Sequence, residues 1–295
     1  MILANNTLDN TTIDVLNYYI KEIQQHINKE YNIYVDIISY TGEISEFVVN
    51  GFQELIEGIK ENNILVIVLS TPGGSATAVE KMVQIIRYHY KEVYFIIPNF
   101  AMSAGTIFSM SGDKIFMDYA STLGPIDPQI LNQENRWVPA LGYIDKVEEF
   151  ILKSKQGTLT EAEFVMLQKL DLGIIRSYEQ ARDLSISLLK EWLVKYKFKN
   201  WDKHRTTNPG KKVTKIQKQR RAEEIAKKLS DNKRWHSHGR HIGIETLQNE
   251  LKLEIENYSD KWELRNSIIK YYKLLNDYVI RINRSVFLHA NKKGL

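Results

Sequence analysis

Residues 64–90 constrain this chain more than any other stretch. Ile64–Leu69 read "ILVIVL", a continuous apolar run of the kind found in strands buried on both faces. "STPGGSATAVE" (70–80) follows, and then "AVEKMVQIIRYHYK", with apolar residues at helical spacing. A strand therefore hands over to a helix through a proline and two adjacent glycines. Glycine permits backbone conformations and close approaches that a Cβ forbids. Free N–H groups at such a junction attract negative charge, so the turn can serve a phosphate, a carboxylate or a transient oxyanion.

The same alternation extends to either side. "YNIYVDIISY" (31–40) is β-rich, and 46–62, 75–90 and the small-residue segment "SAGTIFSMSG" read as helices. "VYFII" (93–97) and "KIFMDY" (114–119) read as strands. Strands and helices in turn with short links indicate an α/β domain with mostly parallel pairing. Ahead of it, Ile13, Leu16, Ile20, Ile23 and Ile27 mark a helix over 11–29. Beyond about 145 the pattern turns helical, with a capping box expected from Thr160 and Glu163. The expected organisation is an N-terminal helix (1–30), an α/β domain with a helical arm (31–196), a basic, turn-rich linker (197–219) and a C-terminal helical region (220–295).

Composition removes several chemistries. The chain of 295 residues has no cysteine, which excludes disulfides, thiol nucleophiles and Cys-ligated zinc and fits a reducing cytoplasm. No apolar run approaches the length of a membrane span, and the first residues lack the pattern of a signal peptide. The tract "KKVTKIQKQRR" (211–221) carries six positive charges, but "EE" follows and no aromatic residues interleave. It reads as a solvated helix face rather than a nucleic-acid site.

For the glycine turn, a phosphate loop would need GxxxxGK[ST] or GxGxxG, and neither is present. An oxyanion site needs a nucleophile nearby. A second junction, "IIPNFAMSAGTIF" (96–108), places Ser103 at an expected helix start with Ala104 and Gly105 behind it. Ser103 could equally be a plain N-cap and Gly105 a packing glycine.

"STPGGSAT", "AMSAG" and the 29 positions from Gly74 to Ser103 resemble the superfamily of Clp protease proteolytic subunits and signal peptide peptidase A, which shares the crotonase-like fold. "LGPIDPQI" (123–130), "WVPALGYID" (137–145) and "RWHSHGR" (234–240) resemble its serine dehydrogenase proteinase branch. The resemblance implies a crotonase/Clp-protease-like ββα-repeat domain with a C-terminal helical extension. It implies Ser103 as nucleophile, with the N–H groups of Gly74 and Ala104 forming the oxyanion hole. No cofactor is needed, and residues 71–75 would offer an edge to an extended polypeptide.

The general base is where the match breaks. No histidine lies between His89 and His204, and the window of the Clp histidine reads "LGPIDPQI". A lysine base, as in signal peptide peptidase A, would fall in "ILKSKQGTLTEAE" (151–163). Lys153 lies 50 positions after Ser103 and Lys155 lies 52, with Lys146 a weaker alternative. A second source is "RWHSHGRHIG", where His236, His238 and His241 lie within six residues. That loop could fold back on the site, hold a metal, or simply pack Trp235. A third reading leaves the apparatus incomplete, with Asp127 as a cap or an orienting group.

The favoured expectation is a cytoplasmic, homo-oligomeric serine endopeptidase with a Ser103–Lys153 or Ser103–Lys155 dyad. Asp127, His236 and His238 are possible accessories, no metal is involved, and the C-terminal region could meet a partner protein. The alternatives are a non-catalytic scaffold on the same fold and an acyl-CoA enzyme of crotonase type.

Overall fold

The computed structural model describes residues 2–131, 137–204, 209–291 and 293–294. Helix α1 (Ile2–Tyr31) is followed by β1 (Val35–Gly42), α2 (Val49–Ile59), β2 (Ile64–Ser70), α3 (Ala76–His89) and β3 (Glu92–Ile97). The short β4 (Phe100–Ala101) precedes α4 (Ala104–Met110), β5 (Lys114–Met117) and β6 (Thr122–Leu123). The hairpin β7 (Gln129–Leu131) and β8 (Trp137–Pro139) leads into the arm, α5 (Ala140–Lys155), α6 (Glu161–Gln168) and α7 (Leu172–Trp192). The remainder is α8 (Lys215–Ser230), α9 (Asn232–Trp235), α10 (Ile244–Asn249), β9 (Glu256–Asn257), α11 (Trp262–Arg281), β10 (Val286–Ala290) and β11 (Lys293–Gly294).

The main sheet runs β11-β10-β1-β2-β3-β5-β9. Strands β1, β2, β3, β5 and β9 pair in parallel, and β10 joins β1 antiparallel. The sheet is covered on both faces, which is why β2 reads as unbroken hydrophobicity. Leu65, Ile67 and Leu69 face one core with α2, α3, α4, α7 and α8. Val66 and Val68 face the other, formed with α1 and α11. The fold is a three-layer α/β arrangement, as the alternation of strands and helices implies. After β3 the chain makes the short β4, paired in parallel with β6, before entering α4, so a ββα unit leads into the Ser103 turn.

The C-terminal part differs from the helical region expected. Residues 286–290 form a strand that lies beside β1 and is almost wholly buried, and β9 closes the opposite edge of the same sheet. Tyr271 Oη on α11 bonds Ser39 Oγ at 2.6 Å and His289 Nδ1 at 2.8 Å, and His289 Nε2 lies 3.1 Å from Asn17 Oδ1. A buried polar chain thus ties α1, β1, α11 and β10 together. The capping box of Thr160 and Glu163 forms as expected.

Candidate active site

Two loops converge at the C-terminal ends of β2 and β3. Thr71 and Ala101 form a parallel bridge, with Thr71 N–H donating to Phe100 O (3.1 Å) and Met102 N–H donating to Thr71 O (2.9 Å). Thr71 Oγ1 also accepts from Gly73 N–H at 3.0 Å, which folds the glycine turn back on itself. The result sets Gly73 against the nucleophile candidate. A Cβ on Gly73 would lie 2.9 Å from Ser103 Cβ and 3.4 Å from Ala104 N, at φ +112°. Only glycine fits there.

Gly74 is held from its other side. Ile44 N–H donates to Gly73 O and Ser75 N–H donates to Ile44 O, both at 2.8 Å. In such a parallel bridge the residue between the two bonded ones turns its own N–H the opposite way. The Gly74 N–H therefore faces away from Ile44. Among the described residues neither it nor the Ala104 N–H donates to another group. Part of the 71–75 edge is consequently occupied by Ala101 and Ile44 rather than open along its whole length.

Ser103 precedes α4 with φ 51° and ψ −115°, an unfavourable conformation for a non-glycine residue, and its side chain makes no capping bond. The residue is part-exposed, its Oγ without a hydrogen-bond partner among the described residues. It occupies the N-cap position of α4, its carbonyl accepting from Ile107 N–H at 3.2 Å, but its hydroxyl does not cap the helix. Ser103 is thus a strained, uncapped serine packed against Gly73, and the N–H groups of Gly74 and Ala104 are unengaged among the described residues.

Two of the lysines proposed as bases have carboxylate partners. Lys153, in the last turn of α5, places Nζ 2.5 Å from Glu163 Oε1 and 3.2 Å from Glu149 Oε1. The hydrogen bond to Glu163, then that to Glu149, raises its pKa. A base needs the reverse. Lys155 is exposed in the same turn, and Lys146 pairs with Glu149 at 2.7 Å. No hydrogen bond or ion pair joins any of these lysines to Ser103 among the described residues.

The histidine loop does return to the α/β domain. Leu123 and Ile242 exchange backbone bonds of 3.0 and 2.9 Å, and Ile126 N–H donates to Leu229 O at 2.9 Å. His238 Nδ1 lies 2.9 Å from Asp127 Oδ1, and Asp127 is buried. His241 Nδ1 meets Thr122 Oγ1 at 3.1 Å. His236 is exposed at φ 60°, ending the short α9, while Trp235 packs with its Nε1–H on Lys228 O. The three histidines thus point to separate places, and among the described residues no cluster of three or more His, Asp or Glu side chains could hold a metal ion.

Reading the sequence alone missed the residues that bring the loops together. Thr71, two positions before a glycine pair, is a side-chain-to-backbone turn former. Thr106 Oγ1 donates to Ala101 O and accepts from Gly124 N–H, each at 2.9 Å, tying β4, α4 and the 122–127 strip into one block. No local pattern predicts the contacts of Thr106.

Known proteins give three kinds of likeness. Two uncharacterized proteins of Methanocaldococcus jannaschii match short segments. MJ0137 is 39% identical over 64 residues, covering 22% of each chain. MJ1495 is 35% identical over 81 residues, covering 26% of this chain and 28% of that one. The matches thus span about a quarter of the relatives' length. A lysine-to-alanine mutant of the 1510-N membrane-bound stomatin-specific protease, in complex with a substrate peptide, is 18% identical over 78% of this chain and 77% of its own, at a TM-score of 0.44. ClpP1 from Listeria monocytogenes is 13% identical over 76% and 93%, at 0.41. The model of the ClpP-like SDH-type serine proteinases matches residues 54–211, more than half of the chain and the whole span that carries the glycine turn and Ser103. The chain belongs to the family of ClpP-like SDH-type serine proteinases.

Proposed function

We propose that this protein is a serine endopeptidase that cleaves extended polypeptide through an acyl-enzyme on Ser103. Ser103 Oγ attacks the scissile carbonyl while the Gly74 and Ala104 N–H groups receive the oxyanion. The observation that carries the reading is the contact of the glycine turn with a strained, uncapped serine, within 2.9 Å of where a Cβ on Gly73 would sit. Family membership over residues 54–211 supports the same chemistry.

A dyad of Ser103 with Lys153 or Lys155 requires a neutral amine carried to the serine. The pairing of Lys153 with Glu149 and Glu163 works against that arrangement. The proposed assembly is a homo-oligomer built through the helical arm. Ile151, Leu152, Phe164, Met166, Leu172 and Ile174 all expose apolar side chains there. No helix among the described residues is long and apolar enough to cross a membrane, and the cysteine-free composition suits a reducing cytoplasm.

Fluorophosphonate labelling tests the reading. Stoichiometric modification at Ser103, lost in Ser103→Ala, is expected, together with hydrolysis of an unfolded polypeptide. Absence of labelling with binding of acyl-CoA would instead indicate a crotonase-type enzyme, and absence of both a scaffold.

A further inference from the structure

We infer that Lys203, Lys211, Lys212, Lys215 and Arg220, with Ile216 among them, form a docking surface for an anionic lipid membrane. The inference stands apart from the peptidase reading and does not depend on it.

Charge is unevenly spread along the chain. Residues 197–221 hold ten Lys and Arg against Asp202 alone, although the whole chain carries only +4. The other 270 residues therefore carry a formal charge of −5. The fold sorts these cations into two sets. Lys197 Nζ reaches Asp113 O at 3.5 Å, Lys199 pairs with Asp113 (2.5 Å) and Glu92 (3.7 Å), Lys218 with Asp202 (3.5 Å), and Arg221 with Glu224 (2.6 Å). Lys203, Lys211, Lys212, Lys215 and Arg220 are exposed and have no acidic partner among the described residues.

The backbone holds the second set together. Lys203 and Lys212 face each other in an antiparallel bridge, and His204 N–H donates to Lys211 O at 2.9 Å. Val213 N–H donates to Asp202 O at 2.8 Å, and Thr214 opens α8 with a capping box to Gln217. Lys215, Ile216, Gln219 and Arg220 then fall on one side of the first turns of α8, all of them exposed. Ile216 is 61% exposed amid these cations. The N-terminus of α8 adds its own partial positive charge. Like charges held this close repel one another, and an anionic surface removes that repulsion.

Among polyanions, a lipid surface fits these groups best. Ile216 can enter the acyl boundary of a bilayer beneath the phosphates that the lysines meet. Against a nucleic-acid backbone the same side chain gains nothing. Stacking on bases needs open aromatic faces, and Trp201, in the same stretch, is engaged edge-on by Phe198 and His204. The position of the patch suits a membrane as well. Lys199 ties it to Glu92 and Asp113, at the starts of β3 and β5, whereas the Ser103 turn follows the other end of β3. Helix α7, with 21 residues, is about 30 Å long and runs from Leu172 of the exposed arm toward the patch. A bilayer at the patch therefore leaves the Ser103 turn and the arm free.

The test is co-sedimentation of the full-length protein with vesicles of phosphatidylcholine alone and of phosphatidylcholine mixed with phosphatidylglycerol. Binding to the anionic vesicles only is expected, weakening as salt rises. Each Lys or Arg near an anionic surface contributes about a factor of five, so Lys212→Gln with Lys215→Gln should weaken binding roughly 25-fold. Ile216→Ser should weaken it roughly 3–10-fold and leave its salt dependence unchanged. Circular dichroism should match the wild type in both variants, because the substituted side chains are exposed. Failure to bind the anionic vesicles overturns the inference, as does equal binding to both kinds of vesicle or undiminished binding by the double variant. Tighter binding to single-stranded RNA or to polyglutamate than to the anionic vesicles, untouched by Ile216→Ser, assigns the patch to another polyanion and overturns it too. Labelling of Ser103 is read separately, so none of these results decides the peptidase reading.

Discussion

Replacing Gly74 by alanine tests the oxyanion site with a magnitude set by the structure. A Cβ on Gly74 would sit 2.1 Å from Ile44 O, where real Cβ atoms essentially never come within 3.0 Å, so one group must move by about 1 Å. Ile44 is tied by its bonds to Gly73 and Ser75, and φ at Gly74 is +136°, so the strain falls on the turn itself. The displacement moves the Gly74 N–H, the proposed oxyanion donor. A misplacement of 1 Å costs about 10²-fold in rate, and complete loss of one oxyanion donor about 10²–10³-fold. The loss should appear in kcat with little change in KM, because the donor acts on charge that exists only in the transition state. The strained backbone should also destabilise the fold by about 1–3 kcal/mol. The assay is hydrolysis of a fluorogenic peptide alongside labelling of Ser103. Gly142→Ala is the control, since nothing lies within 4 Å of that Cβ position in α5. It should leave the rate unchanged and stabilise the helix by up to about 1 kcal/mol. A folded Gly74→Ala variant with the wild-type kcat would refute the oxyanion assignment.

Three further outcomes follow from the packing. Burial pushes the His289 imidazole down from 6.5 to about 4. The unfolded chain therefore binds the extra proton first, and stability falls as pH drops from about 6.5 to about 4, by roughly 3 kcal/mol in all. Urea midpoints measured across that range should show the slope, and His289→Gln should flatten it. Tyr271→Phe removes the hydroxyl shared by Ser39 and His289 and should cost about 1–3 kcal/mol in chemical denaturation. Ile151→Glu with Met166→Glu on the exposed arm should lower the oligomeric state seen by sedimentation without unfolding the protomer.

The parts of the fold legible in the sequence are those whose signal is local. Strand β2 declares itself because both faces are buried, and α2 and α3 because each buries one stripe, Val49–Phe52–Leu55–Ile56 and Val79–Met82–Val83–Ile86. The glycine turn is legible because Gly73 and Gly74 occupy positive φ that other residues rarely adopt. Strand β10 was hidden by its helical neighbours, although "SVFLHA" after the turn at Asn283 carries a strand's composition. Lys153 and Lys155 rest on a family resemblance and its spacing, which say nothing of Glu163, ten residues beyond Lys153, which closes the α6 capping box and holds Lys153. The pairing of Asp127 with His238 spans 111 positions and leaves no local trace beyond the density of histidines.

The placement of the C-terminal residues changes what the extension is for. An independent helical appendage would leave both edges of the parallel sheet open, and open edges invite pairing with other chains. Here β10 covers β1 and β9 covers β5, while α11 buries Leu264, Ile268, Tyr271 and Leu275 against the face opposite the site. The same stretch of chain runs past Asp127 between those two tasks, through residues 229–242. The extension is thus built into the α/β domain at three places, and its folding cannot be separated from that of the strip beside Ser103. Removing residues 220–295 should therefore expose the β1 and β5 edges and the apolar face of Val66, Tyr94 and Phe116 together. The expected result is an insoluble product rather than a smaller active peptidase. A truncated chain ending near 219 that stays monodisperse and labels at Ser103 would show that the α/β domain stands without it.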